Sequence, residues 1–475
     1  MRAALSHPHC HGAGLGAARR SAPNTRARAA ITEWITAMSL YADHLNTLQA
    51  RAEAALSQCG FDALAIASGI EKYALLDDRP YLFQPNPHFK HWLPLTQHPY
   101  SWLLVRPGHK PRVVYYQPDD YWHVPPAAPE GEWVEHCEVC VISDPADAAA
   151  LLQGHGRLAV IAEADAALPG LEPSAAPELL NLLHYPRACK TPYELVQMRA
   201  AQARAVPAHI AAREAFLAGA SELDIHRAYL AASGHTDRDL PYGNIVALNE
   251  HCAVLHYQYQ DATPPAVSRS LLIDAGASVN GYAADITRTW TRGDADSAEF
   301  DAVLDAMESA QLALCDEVRA GVDYRDIHLS THCRIAAILA AQGIVKMSAE
   351  AIVATGVGST FFPHGIGHLL GLQVHDIGGF MADASGAVAP KPAGHPFLRL
   401  TRQLEAGMVV TIEPGLYFIP SLLNKLRASE HGAAVDWAKV ERLARFGGIR
   451  IEDDVACRAE GAAENLTRDA FAAQA

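Results

Sequence analysis

Long apolar runs are missing from this chain of 475 residues. No stretch of 18 or more apolar residues occurs, so the sequence predicts no membrane-spanning helix. Positive charge is in deficit, with 38 lysines and arginines against 53 acidic residues, and the net charge of -15 disfavours nucleic acid or an anionic membrane as a partner. The nine cysteines lack the spacing of a disulfide framework, which favours a reducing cytoplasm. What remains is a soluble enzyme or binding protein.

The N-terminal segment is short of acidic residues, because five arginines and no acid precede Glu33. This composition resembles a transit peptide, but the continuous apolar segment of a secretory signal is absent. Met38 begins a stretch, MSLYADHLNTLQARAEAAL, with helical periodicity. Residues 1–37 are therefore either a removable leader or an over-extended start, and we favour the over-extended start.

The length of the chain predicts two or three domains. Residues 38–180 alternate helix-like and strand-like segments and predict an N-terminal α/β domain, with strands at DALAIAS, SWLLVRP, RVVYYQP, CEVCVIS and RLAVIAE. A proline-rich stretch then leads to Thr191, Pro192 and Glu194, the pattern of a capping box with proline at the first helical position. The second domain, residues 187–475, is expected to combine long alanine-rich helices with a hairpin and glycine-rich strands.

Two aspartates interrupt strand-like sequence in LLIDAGASVNGYAADITRTW. Asn280-Gly281 predicts a type I′ turn, and this turn pairs Asp274 with Thr287 and places Asp274 and Asp285 diagonally on one face. A buried carboxylate needs a partner or a metal. The sequence therefore predicts a cation site here, and two solvated aspartates on an outer face are the alternative.

Further metal ligands are expected on apolar, strand-like background elsewhere in the second domain. FFPHGIGHLLGLQVHD contains three histidines, Glu413 follows a buried-strand pattern, and Glu452 lies within another. A lone histidine on an apolar face is more often a satisfied core residue, but the set as a whole is a stronger signal. Four carboxylates and one imidazole suit hard divalent cations such as manganese, cobalt, iron or magnesium, and their charge indicates two ions.

A resemblance to a known family rests on six stretches: LPYGNIVALNEHCAVLHY, IDAGASVNGYAADITRTW, FFPHGIGHLLGLQVHDIGG, LRLTRQLEAGMVVTIEPGLYFIPSLL, GIRIEDDV and NPHFKHWLP. They resemble the metal-dependent "pita-bread" peptidases and, within them, the bacterial Xaa-Pro dipeptidases, also called prolidases. The related organophosphorus acid anhydrolases share these stretches, so a side activity on organophosphate triesters stays open.

This resemblance implies a creatinase-like N-terminal domain, a pita-bread catalytic domain, a homodimer, and a cytoplasmic enzyme that releases proline from small Xaa-Pro dipeptides. It implies that Asp274 binds one metal, that His368 and Glu413 bind the other, and that Asp285 and Glu452 bridge both. The implied cofactor is two divalent ions per chain, with Mn²⁺ favoured and Co²⁺, Fe²⁺ or Zn²⁺ as alternatives.

Three residues match catalytic positions of that family. His375 would donate a hydrogen bond to the developing oxyanion, Glu413 would shuttle a proton to the leaving nitrogen, and His256 would face the substrate.

A dipeptidase must also bind the free terminal carboxylate, for which the planar fork of arginine is suited. Arg399 and Arg450 match pocket positions of the family, and we favour Arg399. The resemblance adds His364 and Tyr242 as pocket walls and Asp78 as a residue that reaches the neighbouring subunit's site, while a structural role is the alternative for Tyr242 and Asp78.

Two rival functions use the same residues. An Xaa-Pro aminopeptidase acting on longer peptides would need the same five ligands but a site open to the rest of the peptide. A non-enzymatic binding protein on the pita-bread fold would be expected to lack ligands, whereas all five positions are filled here.

Overall fold

The computed structural model of the protein describes residues 25–474, and it describes side chains from residue 40 onward. Residues 1–24 of the predicted extension lie outside the described residues. The first helix begins at Thr25, before Met38, so the helix is longer than the periodic stretch that we predicted from the sequence. No helix among residues 25–474 combines the length and apolarity needed to cross a membrane.

The N-terminal part forms a five-stranded mixed sheet in the order β4-β3-β2-β1-β5. Its strands are β1 (Ala63–Ala67), β2 (Trp102–Val105), β3 (Arg112–Tyr116), β4 (Glu138–Ile142) and β5 (Leu158–Ile161). They coincide with the five predicted segments. Its helices are α1 (Thr25–Cys59), α2 (Pro87–Trp92), α3 (Trp133–His136), α4 (Ala148–Leu152) and α5 (Pro177–Arg187). The alternating α/β order predicted for this part is thereby confirmed.

The long helix α6 begins at the capping box that the sequence predicts. The backbone N–H of Thr191 donates to Glu194 Oε2 at 2.8 Å, and the Glu194 N–H donates to the Thr191 hydroxyl at 3.4 Å. Glu194 Oε1 also accepts from the Tyr282 hydroxyl at 3.2 Å and lies 3.4 Å from His91 Nε2 of the N-terminal part. One buried carboxylate thus caps the helix and joins it to both halves of the chain.

Helices cover the outside of the C-terminal part, and short, curved sheets form its interior. The helices are α6 (Pro192–Leu217), α7 (Glu222–Ser233), α8 (Ala298–Cys315), α9 (Tyr324–Ala341), α10 (Ala349–Ala354), α11 (Gly358–Phe361), α12 (Pro420–Arg427), α13 (Trp437–Ala444) and α14 (Leu466–Ala472). The strands are β6 (Ile245–Leu248), β7 (Ser270–Asp274), β8 (Ser278–Val279), β9 (Tyr282–Ala283), β10 (Thr287–Thr291), β11 (Val409–Ile412), β12 (Gly415–Tyr417), β13 (Gly448–Arg450), β14 (Asp453–Ala456) and β15 (Glu464–Asn465).

These strands form the sheets β10-β7-β6, β11-β14-β15, β12-β13 and β8-β9. Single bridges between Thr287 and Glu452 and between Leu369 and Val410 connect the sheets to one another and to the loop before β11. The apolar side chains of α8 and α9 pack in a core with β12 and β13.

The hairpin has the register predicted from its turn. Asn280 and Gly281 both have positive φ, at 50° and 85°, as a type I′ turn requires. Val279 pairs with Tyr282 and Asp274 pairs with Thr287, so the register continues through the interruption between the two short ladders.

Candidate metal centre

A large cavity, of about 1460 Å³, opens beside the hairpin. Both parts of the chain contribute to its wall, with Lys90 and Thr96 from the N-terminal part facing residues of the C-terminal sheets. Ten predicted site residues line it: Tyr242, His256, Asp274, Asp285, His364, His368, His375, Arg399, Glu413 and Glu452. Arg450 lines it as well, whereas Asp78 does not.

Asp274 and Asp285 reach the cavity from the two arms of the hairpin. Asp274 is the last residue of β7. Asp285 lies between β9 and β10, where the ladder is interrupted, and its backbone N–H donates to Asp454 Oδ2 at 2.9 Å instead of to a neighbouring strand. The interruption explains how an acidic residue is accommodated in an otherwise strand-like segment.

His368 and Glu413 are adjacent because two backbone segments lie side by side. The Thr411 N–H donates to the His368 carbonyl at 3.0 Å, and the Glu413 N–H donates to the Ile366 carbonyl at 2.9 Å. Glu413 directly follows β11, as predicted. Glu452 lies between β13 and β14, not within a strand, and its N–H donates to the Thr287 carbonyl at 3.0 Å.

Donor atoms of these residues converge. His368 Nε2 lies 3.5 Å from Asp285 Oδ2 and 3.8 Å from Glu413 Oε1. Asp285, His368 and Glu452 each offer one ligand atom, and the three atoms all lie within 4.8 Å of one another. Asp274 lines the same cavity, and its Oδ1 is buried with no hydrogen-bond partner among the described residues.

The electrostatics fit a site built for cations. Burial raises the pKa of Asp285 and of Glu452 well above the usual range, and neighbouring carboxylates add to both shifts. Burial also raises the pKa of Glu413 to about 8, although Arg450 opposes the shift. Carboxylates crowded in this way repel one another when ionised, and divalent cations remove that repulsion. The oxygen-rich donor set with one imidazole therefore fits divalent ions.

The hydrogen bonds around the ligands orient their donor atoms toward the cavity. His368 Nδ1 lies 3.0 Å from the Leu369 carbonyl, which can only accept, so Nδ1 carries the hydrogen and Nε2 keeps its lone pair for a metal. The Thr287 hydroxyl donates to Glu452 Oε2 at 2.6 Å, and the Tyr242 hydroxyl donates to Asp285 Oδ1 at 2.5 Å. Tyr242 therefore contacts a candidate ligand directly.

Arg450 and His364 are held by a chain of hydrogen bonds and have little freedom to bind substrate. Arg450 Nη2 donates to Asp274 Oδ2 at 2.6 Å, and its Nη1 donates to the Tyr417 hydroxyl at 3.1 Å. That hydroxyl lies 2.9 Å from His364 Nε2, while His364 Nδ1 lies 2.7 Å from the Gly365 carbonyl. Because Gly365 accepts from Nδ1, Nε2 of His364 accepts from Tyr417.

Arg399, His375 and His256 face the cavity from more exposed positions. The Arg399 guanidinium has no carboxylate partner within ion-pair distance among residues 40–474. The His375 ring packs edge-on against His368, with the ring centroids 4.3 Å apart. Partial burial of the ring against His368, together with the Arg399 charge, lowers the pKa of His375 to about 4, so its imidazole is neutral near pH 7.

Three contributing residues are missing from the sequence-based set. Asp454 holds the Asp285 backbone, Thr287 orients Glu452, and Tyr417 joins Arg450 to His364. Asp454 could have been found with the criterion applied to Glu452, because it too is an acid in a buried apolar segment. Thr287 and Tyr417 carry no comparable signal, since both are common strand residues.

Comparison with known proteins agrees with this geometry. Two protein-family models match the chain: "Xaa-Pro dipeptidase, N-terminal domain" over residues 39–185 and "Metallopeptidase family M24" over residues 196–459. The chain belongs to metallopeptidase family M24. Family membership implies divalent metal ions, and the clustered ligands of the cavity are the candidates to bind them.

Relatives of this M24 metallopeptidase match over almost its whole length. An Xaa-Pro dipeptidase of Xanthomonas axonopodis pv. citri is 54% identical over 436 residues, which is 92% of this chain and 98% of that one. An Xaa-Pro dipeptidase of Stenotrophomonas maltophilia is 50% identical over 436 residues, with the same coverage of 92% and 98%.

Solved structures of similar fold include two aminopeptidases. The Pseudomonas aeruginosa aminopeptidase PepP superposes with a TM-score of 0.68 at 24% identity, covering 90% of this chain and 98% of that one. Aminopeptidase P from E. coli with the inhibitor Pro-Leu gives 0.67 at 24% identity, covering 90% and 95%. The creatinase-like N-terminal domain and the pita-bread catalytic domain expected from the sequence are thereby confirmed.

Proposed function

We propose that this M24 metallopeptidase is an Xaa-Pro dipeptidase that uses two divalent cations to hydrolyse the bond before a C-terminal proline. The observation that carries the proposal is that five candidate ligand residues line one cavity, together with an arginine that has no carboxylate partner among residues 40–474. The identity of 54% to an Xaa-Pro dipeptidase over 92% of the chain supports it.

We assign the cations to Asp274, Asp285, His368, Glu413 and Glu452, and we favour manganese because four of the five donors are hard carboxylates. Bound divalent cations supply an activated water near neutral pH and polarise the scissile carbonyl. The chain itself holds the ligand atoms in place, through the Thr287 and Tyr242 hydroxyls and the Leu369 carbonyl.

Proton movement is assigned to side chains that border the cavity. Neutral His375 donates a hydrogen bond to the oxygen on which negative charge develops. Glu413 takes a proton at a carboxylate oxygen and passes it to the proline nitrogen as the bond breaks, and its position at the cavity wall beside His368 suits this role. His256 borders the same space and contacts the substrate from the other side.

Recognition of the substrate carboxylate is assigned to Arg399. Arg450 is engaged by Asp274 and Tyr417, whereas Arg399 presents its guanidinium to the cavity and has no carboxylate partner in the part of the chain whose side chains the structure describes. A dipeptide's terminal carboxylate would complete a charge-assisted pair there. His364 and Tyr242 then form the wall of the pocket, with their polar atoms already occupied.

A homodimer is part of this proposal, and a surface of the N-terminal part supports it. Two loops expose large apolar side chains: Leu75, Leu76, Tyr81, Leu82, Tyr121, Trp122 and Val124. Asp78 lies in the first loop, exposed and outside the cavity of its own chain. Apolar surface of this extent is typical of an interface, and Asp78 would then approach the site of the second copy.

A cytoplasmic location is also proposed. The eight cysteines among the described residues are all free, as expected in a reducing compartment.

The decisive experiment measures metal-loaded enzyme against a ladder of peptides. Ala-Pro, Ala-Pro-Ala and Ala-Ala should be compared after loading with Mn²⁺. We expect release of proline from Ala-Pro and little turnover of the other two. Cleavage of Ala-Pro-Ala at a rate equal to or above that of Ala-Pro would favour the aminopeptidase activity instead, and no cleavage of any peptide with two ions bound would favour a binding protein.

A further inference from the structure

A second group of potential metal ligands lies outside the cavity and contains only histidines. His328 and His332 lie one turn apart on α9, and His395 reaches them from the loop that precedes Arg399. The three residues each offer one ring nitrogen, and these atoms lie within 4.8 Å of one another. None of the residues that we assign to the catalytic centre belongs to this group.

The three rings pack tightly but leave nitrogens without partners. Their centroids are 4.6 to 4.8 Å apart, in edge-to-face arrangements. His328 Nε2 and His395 Nδ1 are 2.9 Å apart, so one donates to the other. His332 Nε2 is buried and has no hydrogen-bond partner among the described residues. His328 Nδ1 is also without a partner there, but it is the ring nitrogen that does not contact His395, so only His332 Nε2 bears on a shared ion. A buried polar atom without a partner is uncommon and requires an explanation.

We infer that His328, His332 and His395 form a separate divalent-cation site, of the kind that takes Zn²⁺. Three imidazoles are a known zinc ligand set, with water in the fourth position, and imidazole also suits Ni²⁺ and Cu²⁺. The carboxylate-rich set in the cavity prefers harder ions. The two sites of one chain would therefore select different metals.

The observed spacing requires the rings to adjust before they bind zinc, and nitrogens that lie as much as 4.8 Å apart must approach by up to about 1.5 Å. Tetrahedral Zn²⁺ with Zn–N bonds of about 2.0–2.1 Å separates two ligand nitrogens by roughly 3.3 Å. The closest pair, at 2.9 Å, must therefore move apart by about 0.4 Å when the shared hydrogen is lost. His395 lies in a loop and can make this movement more easily than the two residues on α9.

The chemical state of the rings is compatible with this role. A metal ligand must be a neutral imidazole. Burial lowers the pKa of His328 to about 3 and that of His332 to about 4, and neighbouring histidines add to both shifts. The consequence for the fold is that a cation here would join α9 to the loop that carries Arg399.

The test counts metal ions bound to the full-length protein. The wild-type protein, loaded with excess Mn²⁺ and Zn²⁺ and then freed of unbound metal, should retain three ions per chain by elemental mass spectrometry. The variants His332→Gln and His395→Gln should each retain two. Replacing a residue that only hydrogen-bonds a metal ligand weakens metal binding by up to about 100-fold, and losing a ligand itself should weaken zinc binding by more than that. Counting total ions makes the result independent of which metal fills the catalytic site.

Two histidines elsewhere in the chain, His88 and His184, offer a matched control. His88 Nε2 and His184 Nε2 are 3.0 Å apart, a similar contact without a third ring. His184→Gln should therefore retain three ions. Zinc should also raise the melting temperature of wild type and His184→Gln, in the presence of saturating Mn²⁺, but not that of His332→Gln. Two ions in the wild type, or three in both variants of the cluster, would overturn the assignment.

Discussion

Replacing Arg399 with alanine tests how the proposed enzyme binds the terminal carboxylate of its substrate. The side chain lines the cavity and has no carboxylate partner within ion-pair distance among residues 40–474, so its removal should leave no buried charge behind. A hydrogen bond to a charged group contributes about 1.5–3 kcal/mol, which corresponds to a tenfold to hundredfold change in kcat/KM. Because Arg399 is exposed to solvent, we expect the lower half of that range for Ala-Pro.

The effect should fall mainly on KM. The terminal carboxylate is not the reacting group, so its contact with Arg399 should contribute similarly in the ground state and the transition state. Steady-state kinetics with Ala-Pro and with Ala-Pro amide separate the possibilities, since the amide has no carboxylate to lose. An organophosphate triester, if it is hydrolysed, provides a further substrate without a carboxylate.

Lys391 supplies the matched control variant. It is also a cation at the wall of the cavity, and its Nζ donates to the Pro396 carbonyl at 2.6 Å. Lys391→Ala should change kcat/KM for Ala-Pro by less than about twofold, the size of a minor surface effect. If Arg399→Ala lowers dipeptide and amide hydrolysis by the same factor, or if Lys391→Ala matches it, Arg399 does not bind the carboxylate and the reasoning fails.

Three further predictions concern the metal ligands and the N-terminal segment. Asp285→Asn should abolish Ala-Pro hydrolysis, and retained turnover with two bound ions would contradict the ligand assignment. The substitution should not lower the melting temperature of the metal-free protein, because it removes one of several crowded carboxylates that repel one another. Glu413 has a pKa of about 8 in the metal-free folded protein, whereas its pKa in the unfolded chain is near 4.5. The EDTA-treated protein should therefore become less stable as pH rises between these two values, and saturating Mn²⁺ should reverse the trend. Calorimetry at pH 6 and pH 8, with and without Mn²⁺, checks both signs. A protein beginning at Met38 should fold and turn over normally, because the buried side chains described in α1 begin at Tyr41; a large fall in melting temperature would show that residues 1–37 support the fold.

Much of the fold and several features of the site were predictable because they depend on residues close in sequence. The Asn280-Gly281 turn sets the pairing of Asp274 with Thr287, since a two-residue turn and a period of two leave one register. The capping box at Thr191 is likewise local. The kinds of ligand were also readable, because an acid on an apolar background carries a cost that only a partner or a cation removes.

Only the tertiary structure decided which atoms meet. Arg399 and Arg450 line the same cavity, yet Arg450 pairs with Asp274, which is far away in sequence, and Arg399 pairs with no acid among the described side chains. Asp454 Oδ2 accepts a hydrogen bond from the Asp285 backbone N–H, and no sequence pattern predicts this contact.

The histidine cluster shows the same division between local and long-range information. His328 and His332 are one helical turn apart, so the sequence by itself places them on one face of α9. His395 joins them only because the loop before Arg399 folds back onto that helix. The sequence determines the turns and helix caps, because they depend on short-range stereochemistry, and it indicates which residues bind metal, because burying a charge is costly. The partner of each buried polar group depends instead on how distant segments pack, which only the folded chain decides.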